Sequence, residues 1–114
     1  GLSYADFEYS DIELSDKGDA FDVSFTVKNI SDIDAKETAQ VYVGINGAYD
    51  RPVKELKGFC KLALGRGEEK RATVSIGKDD IRVWNGGWEL LRGTYTVSVA
   101  SASDDVRLTA EVEI

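Results

Sequence analysis

The sequence predicts an all-β domain: an antiparallel sandwich of seven to eight short strands. Three observations carry this. Apolar residues recur at every second position in run after run, the signature of strands with one buried face. Glycine and small polar residues separate the runs at regular intervals. No stretch has the three-to-four spacing of a long amphipathic helix.

The first strand holds Phe7 and Tyr9, then Ile12 and Leu14. The switch from odd to even positions requires a bulge, a kink or a passage between sheets, because a one-residue slip turns every side chain over. Ser15-Asp16-Lys17-Gly18-Asp19 follows as a turn. Phe21, Val23, Phe25 and Val27 then alternate with Asp22, Ser24, Thr26 and Lys28. A short polar connection, 29–34, leads to Ala39, Val41, Val43 and Ile45, with Tyr42 as an aromatic on the second face. Phe59, Leu62 and Leu64 change parity again. Gly65-Arg66-Gly67-Glu68 is a turn before Ala72, Val74 and Ile76. Lys78-Asp79-Asp80-Ile81 predicts one helical turn with Asp79 as its cap. Asn85-Gly86-Gly87 turns between Trp84 and Trp88. Tyr95, Val97 and Val99 form the next run. The last run places Val106, Leu108, Ala110, Val112 and Ile114 inward, with Arg107, Thr109, Glu111 and Glu113 outward.

This pattern is that of an immunoglobulin or fibronectin type III-like sandwich. The Cys…Trp…Cys spacing of antibody-type domains is missing, which favours the fibronectin type III-like variant. At 114 residues the chain is one domain, 1–114, long enough to bury a core without cross-links. It starts at Gly1 and has no methionine, so it is expected to be a domain excised from a larger multidomain enzyme.

Composition removes whole classes of function. The formal net charge of −7 disfavours nucleic acid and anionic membrane surfaces, both of which demand basic residues. No apolar run approaches the roughly 20 residues of a membrane-spanning helix. Histidine is absent, so Ser-His-Asp, Cys-His and histidine-based zinc chemistry have no place within these residues. The single Cys60 has no partner for a disulfide and tilts the expected compartment toward the cytoplasm over secretion.

The acidic pairs Glu68-Glu69, Asp79-Asp80 and Asp104-Asp105 fall in turns. A glycosidase pair must instead face across a cleft, so no catalytic residue is assigned. Asp16-Lys17-Gly18-Asp19 and Asp32-Ile33-Asp34 fall short of the six to eight oxygens calcium takes. No metal or other cofactor is expected. Trp84, Trp88, Tyr42 and Tyr49 suit a sugar-stacking platform, and the two Trp residues equally suit the closed end of a sandwich. Burial of such large rings is the commoner outcome.

Arg51-Pro52-Val53-Lys54-Glu55-Leu56-Lys57-Gly58-Phe59 stands apart. It holds the only proline. It sets the apolar Val53, Leu56 and Phe59 among the basic Arg51, Lys54 and Lys57, a composition suited to an inter-domain contact. The alternative is that Leu56 and Phe59 belong to the core.

In order along the chain, several segments resemble one family: the fibronectin type III-like domain at the C-terminal end of family 3 glycoside hydrolases, the β-glucosidases and relatives. They are Gly1-Leu2-Ser3-Tyr4 with Phe7 and Tyr9-Ser10; Val27-Lys28-Asn29; Gln40-Val41-Tyr42-Val43; and Arg51 to Phe59, the most specific. Leu64 with Gly67-Glu68, then Trp88 and Gly93-Thr94-Tyr95, complete the series. Ser31, Ala35 and Arg66 stand at turn positions where the family commonly has Gly, Gly and Pro. The resemblance implies a non-catalytic accessory module that docks on upstream catalytic domains of the same polypeptide and stabilises them. It implies a parent that hydrolyses terminal β-D-glucosidic or related O-glycosyl bonds. The family's catalytic carboxylates match no position here. The second reading is a carbohydrate-binding or adhesive module acting through exposed aromatics. Exposed strand edges also permit a homodimer.

Overall fold

A computed structural model of the chain describes residues 6–45, 55–81, 83–84, 86–89, 93–102 and 105–113. Seven strands form two antiparallel sheets. β1 (Phe7–Asp16), β2 (Ala20–Asn29) and β5 (Glu69–Gly77) make one, in the order β1-β2-β5. β3 (Ala35–Ile45), β4 (Glu55–Leu64), β8 (Thr94–Ala102) and β9 (Asp105–Glu113) make the other, in the order β4-β3-β8-β9. A small ribbon pairs β6 (Val83–Trp84) with β7 (Trp88–Glu89). Immunoglobulin constant domains put their fourth strand in the sheet of the first, second and fifth. Here β4 pairs with β3 instead, which bears out the fibronectin type III-like expectation.

The core lies between the sheets. Phe21, Val23, Phe25 and Val27 of β2 are fully buried, and so are Ala39, Val41, Val97 and Val99 opposite. Each of these positions follows from the period-two alternation. The polar faces of β2 and β5 pair with each other outside: the Ser24 and Thr73 hydroxyls lie 3.0 Å apart.

The parity change in β1 is a bulge, and β1 stays beside β2 on both sides of it. Ser10 pairs with Thr26 and Glu13 with Ser24, so one residue is extra. Asp11 absorbs it at φ +55°, a left-handed conformation that aspartate tolerates better than most residues. Arg71 secures the bulge from β5, reaching across β2. Its Nη1 donates to the Asp11 carbonyl at 2.6 Å and to Thr26 Oγ1 at 3.1 Å.

Two expectations need correction. Lys78–Ile81 is a 3-10 turn that already includes Asp79, so Asp79 does not cap it. Val106 is not an inward residue of β9, because a bulge at Arg107 turns it out. Of the two directions open to Phe59, a bulge in β4 selects the outward one.

Candidate inter-domain surface

β4 pairs with β3 in unbroken register from Leu64 opposite Ala35 to Gly58 opposite Val41; then the register slips, and Leu56 pairs with Tyr42. Lys57 is the extra residue. The consequence is that even-numbered Gly58, Cys60, Leu62 and Leu64 face the core side, while both Leu56 and Phe59 face out. Gly58 shows why this strand lies so close to the opposite sheet. A Cβ there would sit 2.6 Å from Val74 Cγ1 and 3.3 Å from Ile76 Cδ1. Glycine lets the backbone approach where any side chain would collide.

Leu56 is 50% exposed and Phe59 60% exposed. They share the outer face with their cross-strand partners Tyr42 and Gln40. The Tyr42 hydroxyl donates to Gln40 Oε1 at 2.6 Å, so these two polar tips engage each other beside the apolar pair. Lys57, at the bulge, forms an ion pair with Glu55 at 2.8 Å. Of the residues expected at this contact, Leu56, Lys57 and Phe59 are thus brought to one edge of the four-stranded sheet. Arg51, Pro52, Val53 and Lys54 lie outside the described residues. For Trp84 and Trp88 the structure describes the backbone, which pairs the two residues across the β6–β7 ribbon. Their side chains, and the whole of Tyr49, lie outside the description.

Several acidic side chains close turns and tie strands. Glu68 Oε1 accepts the Gly65 N–H at 2.8 Å, and Asp34 Oδ1 accepts the Arg66 N–H at 2.9 Å. Asp16 Oδ1 accepts the Gly18 N–H at 2.8 Å and pairs with Lys78 at 3.2 Å. That amide first, and Lys78 after it, hold the Asp16 carboxyl below its ordinary value of 3.8. Among the described residues no three His, Cys, Asp or Glu side chains gather as a metal site.

Sequence reasoning missed a clasp between the sheets. Val99 pairs with Leu108 but Ala100 with Val106, so Arg107 is the extra residue of a bulge in β9. It turns toward β1. Its Nη1 donates to the Phe7 carbonyl at 2.9 Å, its guanidinium lies 5.8 Å from the Tyr9 ring centre, and Nε and Nη2 grip both Asp105 oxygens at 2.9 and 3.0 Å. That grip, with Ser101 behind it, lowers the Asp105 carboxyl below 3.8. Tyr9 stacks on Phe25 and donates to Glu37 Oε2 on β3 at 3.0 Å. Burial, and then the Glu37 charge, push the Tyr9 phenol well above its ordinary 10.0. The unbroken alternation of β9 hid the bulge. A lone arginine beside an acidic turn was the one available signal.

The fibronectin type III-like domain family model matches residues 37–103, more than half of the chain. The chain belongs to that family. A putative β-xylosidase of Formosa agariphila is 39% identical over 96% of the chain, which spans 16% of that protein. An exo-α-(1→6)-L-arabinopyranosidase of Bifidobacterium breve is 38% identical over all of it, again with 16% of the relative covered. The solved family 3 β-glucosidase of Bifidobacterium adolescentis superposes with a TM-score of 0.89 at 38% identity, covering the whole chain and 18% of that structure. The chain therefore spans about one sixth of the length of the relatives it matches. It is an accessory module of the kind that family 3 glycoside hydrolases carry beside a much larger remainder.

Proposed function

We propose that this module docks on the catalytic domains of a β-glucosidase-like family 3 glycoside hydrolase, within the same polypeptide, and stabilises them without contributing to bond cleavage. The parent hydrolyses terminal β-D-glucosidic or related O-glycosyl bonds. One observation carries the reading: two large apolar side chains, Leu56 and Phe59, lie half or more exposed side by side at the β4 edge of the sandwich. Water contact costs such a pair free energy that a neighbouring domain would recover, about 1–2 kcal/mol per half-exposed side chain. The relatives named above act on different sugars by their names, yet align along this module. That supports a role indifferent to the sugar.

The test compares two contexts. Phe59→Ala in the whole polypeptide is expected to lower stability by about 1–3 kcal/mol. In the isolated module, where the ring has little to pack on, the cost is expected within about 0.5 kcal/mol. Thermal or denaturant unfolding of both proteins reads the difference. Equal losses in the two contexts would refute docking through Phe59.

A further inference from the structure

The outer face of the four-stranded sheet is an ordered surface, read from cross-strand partners. One row runs Phe59, Gln40, Ala100, Val106 across all four strands. The next runs Leu56, Tyr42, Ser98, Thr109. The bulge at Arg107 is what puts Val106 here, 41% exposed, while Leu108 keeps the inward place. Three inter-strand steps of about 4.8 Å separate Phe59 from Val106. Between them β3 offers Gln40 and Tyr42, and β8 offers only small residues, Ala100 and Ser98, both buried. The result is a sheet face on which the exposed Phe59 and Leu56 stand toward one side and the exposed Val106 toward the other, with small and polar residues between. Beyond one end of these rows the same face carries exposed Lys36 and Lys61.

We propose that the neighbouring domain of the same polypeptide seats across this whole face, with Val106 as a second anchor opposite Phe59. Its contacting surface is a convex apolar ridge with carboxylates set against Lys36 and Lys61. This rests on the docking reading above and extends its footprint from one strand edge to four strands. The chain covers about one sixth of its relatives' length, so the nearest large surface is the tethered remainder. A tether raises the effective concentration of that surface into the millimolar range, and a patch of modest area then suffices.

Hydroxyl-radical labelling of the whole polypeptide, read residue by residue against the urea-unfolded chain, tests it. Free in solution, Val106 would be labelled at about two-fifths of its unfolded rate and Phe59 at about three-fifths, following their exposure of 41% and 60%. Seated, both fall below about one tenth, as at the dry centre of an interface. Low labelling of Phe59 with Val106 still near two-fifths overturns the extended footprint and leaves docking at β4 standing. Full labelling of both overturns the two readings together. Protection that disappears on dilution assigns the face to a second copy of the chain and overturns the proposal. Lys36→Glu with Lys61→Glu should raise Val106 labelling at least twofold; unchanged labelling overturns the carboxylate assignment.

Discussion

Asn29 holds three chain segments together with one side chain. It is fully buried, and its Nδ2 donates to the Ile33 carbonyl at 2.8 Å and the Leu64 carbonyl at 3.1 Å. Its Oδ1 accepts from the Ser31 amide at 3.0 Å and from the Ser31 hydroxyl. The backbone adds bonds to Glu68 and Gly67. The Val27-Lys28-Asn29 segment thus marks where the β2–β3 connection, the end of β4 and the β4–β5 turn are tied. Asn29→Ala strands the buried Leu64 carbonyl and the Ser31 amide, leaves the Ile33 carbonyl only the Ser31 hydroxyl, and is expected to cost about 2–4 kcal/mol in urea unfolding. Asn29→Asp at pH 7 aims a carboxylate at those carbonyls and should cost at least as much. Its carboxyl is then raised in the native state, so acidification protonates the folded form first and stability should partly recover. A variant that is indifferent to pH between 7 and 4 would contradict this hydrogen-bond assignment. The sequence offered the residue but not the role, because an asparagine at a strand end reads equally as turn chemistry.

At the scale of elements, alternation was sufficient for β2, β3 and β5 and misleading at the bulges. A bulge is one residue of extra backbone. It leaves a trace in the pattern only when large apolar residues fall on both sides of it. Phe7, Tyr9, Ile12 and Leu14 left that trace in β1. In β4 the visible parity change pointed to the residues after Phe59, whereas the slip lies at Lys57; the core position is held by Gly58, which carries no hydrophobic signal. In β9 a valine stood on the outer face and disguised the slip. Gly58→Ala is the direct probe of β4. The added methyl collides with Val74 and Ile76, and overpacking of this kind costs about 1–3 kcal/mol. Combining it with Val74→Ala should recover part of that loss, so the double substitution costs less than the sum of the singles. Strict additivity would mean that β4 does not approach β5 as described.

For the whole molecule, the clasp of Arg107, Tyr9 and Glu37 joins the sheets along the β1–β9 side, while Leu56 and Phe59 stay exposed at the β4 edge. The clasp carries its own pH signature. Tyr9 ionises in the unfolded chain near 10.0 but only at higher pH when folded. Above pH 10 the native state therefore holds a proton that the unfolded state has lost, and stability falls as pH rises. Urea midpoints at pH 8 and pH 11 should show wild type losing more of its stability than Tyr9→Phe. Parallel losses would remove Tyr9 from the account. The accessory role was readable from the segments that resemble the family, Arg51 to Phe59 above all. The direction of Leu56 and Phe59 was not, since it hangs on a single extra residue.

In the proposed role the module supports catalysis only by holding the catalytic domains folded. The most direct measurement takes the whole polypeptide with Leu56→Ala and Phe59→Ala together. It follows the initial rate of aryl β-glucoside hydrolysis at 25 °C and the half-life of that activity near the unfolding temperature. The account predicts an initial rate within about twofold of wild type, and a half-life shortened at least fivefold, the effect of roughly 1 kcal/mol or more on the unfolding barrier. An unchanged half-life, or a collapsed rate in a protein that inactivates no faster, would contradict it.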